Sequence, residues 1–245
     1  MKTIKIKLPK SWNELTNAQL EQMALLFSSG MKGKIFDMNV FKILMGGNSN
    51  TVGLVLADVP LSELKTHYDF IYDKNDRTVF IKQLKIAGKE YYSPADRFNN
   101  ISIEEYSLAE DLHFQWREKR DRTYLEYMAA VLYVPAYGKR PVFEKELLED
   151  MAKPFKEVKL EKLLAMEMAF AGSKNNLVKR FPKVYPPAKN TKAAKKENYG
   201  FSKVILQMAG GKFGSHNETK QTNVFTFHED FQETLKQIEN AKRKP

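Results

Sequence analysis

The groups in this sequence with the reach to do chemistry are four histidines, several carboxylate sets, one glycine-rich turn and one run of cations. His67, His113, His216 and His228 are far apart, and none stands in the short two-histidine spacing that holds a metal. His113 falls inside an apolar-periodic stretch and reads as a packed or hydrogen-bonded ring. Glu63-Leu64-Lys65, with Asp58 upstream, echoes the acid-acid-lysine set of metal-dependent nucleases. Such carboxylates need rigid strand ends to hold a hard cation, whereas Ser62 reads as a helix cap. The same Glu-x-Lys spacing also recurs at Glu157-Val158-Lys159. Glu104-Glu105 and Glu110-Asp111 read as first-turn acids and a solvated face. Gly210-Gly211-Lys212-Phe213-Gly214-Ser215 invites a phosphate loop, but that motif needs its lysine directly after the last glycine. Here Lys212 precedes Phe213, which leaves a helix C-cap and turn. No serine stands in a nucleophile elbow. The expectation is a non-enzymatic protein with no metal and no cofactor.

The cations are concentrated. The net charge is +10, and the stretch from Ser173 to Lys196 supplies +8 of it, leaving +2 elsewhere. Its basic residues are Lys174, Lys179, Arg180, Lys183, Lys189, Lys192, Lys195 and Lys196, with no acid among them. Phe181, Tyr185 and Tyr199 are interleaved with these charges, a mixture able to neutralise phosphates and stack on bases. The same composition, with Pro182, Pro186 and Pro187, also describes a solvated linker. A nucleic-acid-binding role for this segment and a plain linker both stay open.

The elements that must position these groups read mainly as helices. Lys2 to Leu8 alternates like a half-buried strand and stops at Pro9. Thr16 with Gln19 forms a capping box, followed by the stripe Leu20, Met23, Ala24, Phe27 and a C-capping Gly30. Helices are expected over about 33–45 and 61–72. Thr78 to Ala87 reads as a strand, Gly88-Lys89 as a turn and Glu90 to Tyr92 as the return strand, with the N-terminal strand completing a sheet.

Ser102 and Glu105 make a second capping box, with Leu108, Leu112 and Trp116 on one face beyond it. A charged corner, Arg117 to Arg122, leads to a second stripe of Tyr124, Leu125, Met128, Ala129 and Leu132, ended by Pro135. These two helices are predicted to form the central hairpin. A modest helix follows over 143–151, then one apolar nearly all round over 159–170, continuing weakly past Gly172-Ser173 to Arg180. After the linker come a helix over 199–208 and a last amphipathic helix, with Thr226 and Glu229 as its caps. Its face carries Phe227, Phe231, Leu235 and Ile238, which either packs on the core or offers a groove to a partner. The fold class is thus mainly α, a helical core with a small N-terminal antiparallel sheet. The organisation is a core domain over 1–181, a basic Pro/Lys-rich linker over 182–198 and a C-terminal helical segment over 199–245.

A chain of 245 residues, 42% hydrophobic, can bury a sizeable core. It has no cysteine, so disulfides and thiolate metal sites are excluded. No stretch approaches the roughly 18 apolar residues of a membrane span, and none near the start suits a signal peptide. A cytoplasmic protein is expected.

Several stretches resemble a family of tailed-phage and prophage proteins encoded in the tail-assembly region, several from Bacteroides-type hosts. They are Leu8-Pro9-Lys10-Ser11-Trp12-Asn13-Glu14-Leu15-Thr16 with Gln19, Tyr91-Tyr92-Ser93-Pro94-Ala95-Asp96, and Asn100-Ile101-Ser102-Ile103-Glu104-Glu105-Tyr106. Ala129-Ala130-Val131-Leu132-Tyr133 with Pro135, and Met208-Ala209-Gly210-Gly211-Lys212-Phe213-Gly214, complete the set. Val134 stands where the family pattern suggests an arginine. The resemblance implies a helical protein without enzymatic activity, in the host cytoplasm or with the virion. Its implied partners are other tail proteins, such as the tape measure, which it would hold as a chaperone or join as a minor structural component.

Overall fold

In the computed structural model, residues 6–46, 49–186 and 201–243 are described. A turn of 3-10 helix at Trp12–Glu14 leads into α1 (Asn17–Ser28), α2 (Gly33–Leu44), α3 (Ser49–Asp58) and the single turn α4 (Leu61–Leu64). A hairpin of β1 (Gln83–Ile86) and β2 (Lys89–Tyr92) follows. Then come α5 (Ile103–Lys119), α6 (Thr123–Leu132), α7 (Leu148–Ala152), α8 (Leu160–Arg180), α9 (Ser202–Met208), α10 (His216–Gln221) and α11 (Val224–Arg243). Among the described residues the protein is mainly α, with one small antiparallel sheet. Among the described residues no helix is long and apolar enough to cross a membrane.

The central hairpin is formed by α5 and α6. Both halves of the Ser102–Glu105 capping box are made, Glu105 N–H donating to Ser102 Oγ at 3.2 Å and Ser102 N–H to Glu105 Oε2 at 2.7 Å. Arg120 ends α5 in the left-handed conformation, φ 56°, with its guanidinium over the Trp116 ring. The charged corner is only partly solvated. Arg122 reaches Glu126 and donates to the Lys156 and Val158 carbonyls at 2.9 and 2.6 Å. The buried face of α5 carries Ile103, Tyr106 and Ala109 as well as Leu112 and Trp116, while Leu108 is half-buried. On α6, Leu125, Met128, Ala129 and Leu132 are all fully buried.

Against this hairpin lies α8, a single helix through Gly172 and Ser173. The glycine is not a weak point but a place of close approach. A Cβ there would lie 2.1 Å from the Arg77 carbonyl oxygen, so only glycine admits the loop at 75–78. Asn75 Nδ2 donates to the Met168 carbonyl and Asn175 Nδ2 to the Asn75 carbonyl, both at 2.7 Å, stitching that loop along α8. The Arg77 side chain is buried and donates to the Trp12 and Leu15 carbonyls at 2.6 and 3.2 Å. Burial lowers its pKa to about 10.

The sheet differs from the expectation. Among the described residues it has two strands, and Ile6 to Leu8, the described part of the expected N-terminal strand, are not in it; residues 2–5 lie outside the described residues. The place beside β2 goes to Val134, whose N–H and carbonyl exchange bonds of 3.1 and 2.8 Å with Tyr92. The strand expected from Thr78 begins only at Gln83, because Asn13 Oδ1 takes the Thr78 and Val79 amides at 2.9 and 3.2 Å. The turn is Ala87-Gly88, with φ 47° and 80°, the left-handed pair that matches strand twist.

Three helix expectations also shift. The stretch 61–72 breaks into α4 and two 3-10 turns, because Tyr68 leaves helical geometry (φ −144°, ψ 35°) to bury its ring on Phe41. The stretch 143–151 holds a short 3-10 turn and α7, which ends at Ala152. The last helix is capped by Asn223, whose Oδ1 accepts from Phe225 N–H at 2.9 Å, rather than by Thr226 and Glu229.

The C-terminal helices rest on the core. Ile103 N–H donates to the Thr222 carbonyl at 2.9 Å and Val224 N–H to the Ile101 carbonyl at 3.1 Å, joining the starts of α5 and α11. Of the basic stretch 182–198, only residues 182–186 lie within the described residues.

Candidate protein-binding surface

The residues singled out for chemistry are mostly tied to one another. His113 Nε2 lies 2.8 Å from Glu167 Oε1, both largely buried. His228 is fully buried on α11. Its Nδ1 lies 2.7 Å from the Val224 carbonyl, which can only accept, so Nδ1 carries the proton. Nε2 then accepts from Tyr185 Oη at 2.8 Å, and Tyr185 Oη accepts from Tyr106 Oη at 2.9 Å. Burial holds the His228 ring neutral by lowering its pKa to about 4. This relay fastens the stretch after α8 to both α5 and α11.

Lys65 is paired with Asp37 at 2.9 Å, away from Glu63 and Asp58. Burial pushes the Asp37 carboxyl up, but the Lys65 ammonium and the Tyr72 hydroxyl outweigh it and lower its pKa. In the glycine-rich turn, Gly210 N–H donates to the Gly214 carbonyl, Lys212 pairs with Asp230 at 2.6 Å, and Ser215 caps α10. Among the described residues no group of three or more His, Asp or Glu is placed to hold a metal.

The basic segment is partly neutralised. Lys174 pairs with Glu110 and Arg180 with Glu229, both at 2.7 Å, and Lys183 pairs with Glu239. Lys179 is exposed, with no ion-pair partner among the described residues. Lys189, Lys192, Lys195, Lys196 and Tyr199 lie outside the described residues. The aromatic rings do internal work instead: Phe181 is buried 5.2 Å from the His228 ring, and Tyr185 stacks on the same ring at 5.6 Å.

The stripe on α11 runs from core to solvent. Phe227 is fully buried against Phe213 and Phe201, so it is core and not part of an open groove. Phe231 and Leu235 are half-buried, and Ile238 is exposed.

The larger apolar exposure lies at the opposite end of the chain. At 100° per residue, Val40, Phe41, Ile43 and Leu44 fill the inward side of α2, all buried. Lys34, Ile35, Met38 and Lys42 fall together on the outward side. Ile35 is 65% exposed and Met38 50%. Met31, 49% exposed, precedes the helix, and Asn39 Nδ2 lies 3.9 Å from its sulfur and 2.9 Å from the Ile35 carbonyl. Phe36 extends the surface sideways, its ring 5.3 Å from Phe27 on α1 and 6.4 Å from Tyr72. Phe27 and Tyr72 are each 44% exposed. Phe27, the half-buried Phe36 and Tyr72 thus form one aromatic run, while Met31, Ile35 and Met38 stand exposed just before α2 and on its outward side.

Sequence reasoning placed Phe27 in the core stripe and did not single out this surface. One signal was available. Seven of the twelve residues of α2 are large and apolar (Ile35, Phe36, Met38, Val40, Phe41, Ile43 and Leu44), more than the inward side of a peripheral helix can bury. No family model matches the chain, and no curated protein or solved structure is similar to it.

Proposed function

We propose that this chain is a non-catalytic phage protein that binds another protein during tail assembly, as a chaperone or a minor structural component. The observation that carries the binding role is the exposure of Met31, Ile35 and Met38 at α2 and of Phe27 and Tyr72 on either side of the half-buried Phe36 ring. Apolar side chains gathered at one end of the fold and left in water favour burial against a partner. Methionines suit such a surface because their unbranched chains adapt to different partners. The tail-assembly setting rests on the sequence resemblance.

Co-expression with the tape-measure and neighbouring tail proteins of the same phage tests the reading. The expected result is a soluble complex that survives purification and is lost on Ile35→Asp with Met38→Asp. Recovery of the chain alone, with every tail protein remaining insoluble or unbound, overturns it. So does a gene neighbourhood of metabolic genes with no tail gene near.

A further inference from the structure

The outward side of α2 carries a charge pattern that specifies its partner. Between Ser28 and Met45 stand three lysines, Lys32, Lys34 and Lys42, and one acid, Asp37. Asp37 is already held by Lys65 and by the Tyr72 hydroxyl, at 2.9 and 2.8 Å. The three lysines are exposed and have no acidic partner among the described residues. Lys34 and Lys42 flank Ile35 and Met38 on the same side of the helix, and Lys32 lies beside Met31. On the outward side of α2 the exposed pair Ile35 and Met38 is therefore bordered by cations, Lys34 and Lys42.

The backbone adds a second restriction. A helix keeps its amides and carbonyls bonded within itself, so this surface offers no open strand edge to which a peptide could add. A partner must pack by side chains. Apolar residues at 35 and 38 form a ridge of the kind that seats in the groove of another helix.

We infer that this surface binds an amphipathic helix of another protein, one whose apolar stripe is bordered by aspartates and glutamates. The inference rests on the protein-binding role proposed above and names the chemistry of the partner. Ile35 and Met38 supply the apolar contact. Lys34 and Lys42 select acidic flanks and raise the encounter rate, an effect that weakens as salt rises.

The test uses the full chain and two synthetic helical peptides with the same leucine stripe, one bordered by Glu and the other by Lys. Fluorescence anisotropy at low salt is expected to show the Glu peptide binding at least tenfold more tightly than the Lys peptide. Lys34→Glu with Lys42→Glu should invert that preference, a result that loss of folding cannot produce. Ile35→Asp with Met38→Asp should abolish binding of both peptides while the helical circular dichroism is kept. Equal binding of the two peptides, both lost on Ile35→Asp with Met38→Asp, overturns the acidic-partner inference and leaves the protein-binding role standing. No binding of either peptide also overturns the inference, and the tail-protein co-expression then decides the broader role separately. Binding to vesicles of anionic lipid in place of either peptide, or dimerisation that buries Ile35, overturns it in favour of a lipid surface or a second copy.

Discussion

Arg140 and Glu105 form an ion pair at 2.6 Å in which both side chains are almost fully buried, 6% and 5% exposed. The pair joins two helix ends. Glu105 Oε2 accepts from the Ser102 amide at the start of α5, while Arg140 donates to the Val131 and Leu132 carbonyls at the end of α6, both at 2.9 Å. Each charge thus sits where the helix dipole favours it.

Removing one partner leaves the other charge buried and alone. Arg140→Ala is expected to destabilise the protein by about 3–5 kcal/mol, and Arg140→Ala with Glu105→Gln by clearly less than the two single changes summed. Urea denaturation of the four proteins measures this. Additive losses would show that the pair does not act as a unit.

Two glycines on helices should respond in opposite directions. Gly172→Ala puts a Cβ 2.1 Å from the Arg77 carbonyl oxygen, a backbone atom that cannot turn away. The loop at 75–78 must shift, and a loss of about 3 kcal/mol or more is expected. Gly53, within α3, has nothing within 4 Å of its Cβ position, so Gly53→Ala should gain about 0.5–1 kcal/mol. Thermal unfolding of both variants decides whether space or helix propensity governs each site.

His228 makes stability depend on pH. Its folded pKa, about 4, is below the ordinary 6.5, so the unfolded chain takes up a proton first as pH falls. The stability is complete above about pH 6.5 and declines on acidification toward pH 4, by on the order of 3 kcal/mol. His228→Gln should be less stable at neutral pH but lose less across that window. Denaturation midpoints measured from pH 7 to about pH 4 read the difference directly; parallel curves for the two proteins would exclude His228 as the source.

The inward and outward sides of α2 should separate cleanly under substitution. Ile35→Ser and Met38→Ser are exposed changes and should move stability by no more than about 0.5 kcal/mol. Phe41→Ala, at a fully buried ring stacked on Tyr68, should cost about 3–5 kcal/mol. A large loss at Ile35 in the isolated protein would show that this side chain is already covered.

What the sequence determined by itself is what spans few residues. The capping boxes at Thr16–Gln19 and Ser102–Glu105 involve four consecutive positions, so their hydrogen bonds are fixed once the helix starts. Ser215–Glu218 is a third, equally legible in its Ser-x-x-Glu spacing. The helical periods of α1, α5, α6, α8 and α11 were legible for the same local reason. The tertiary structure decided the long-range choices. Val134 took the place beside Tyr92, and Asn13 captured the amides of Thr78 and Val79, since a backbone donor bonds to whichever acceptor the fold brings near. Gly172 is a necessity only because Arg77 lies against it. An amphipathic stripe states that a face prefers burial, but not which element covers it. Phe201 at the start of α9 and the turn at Phe213 buried Phe227, whereas α2 meets the core on one side only and leaves Ile35 and Met38 in water.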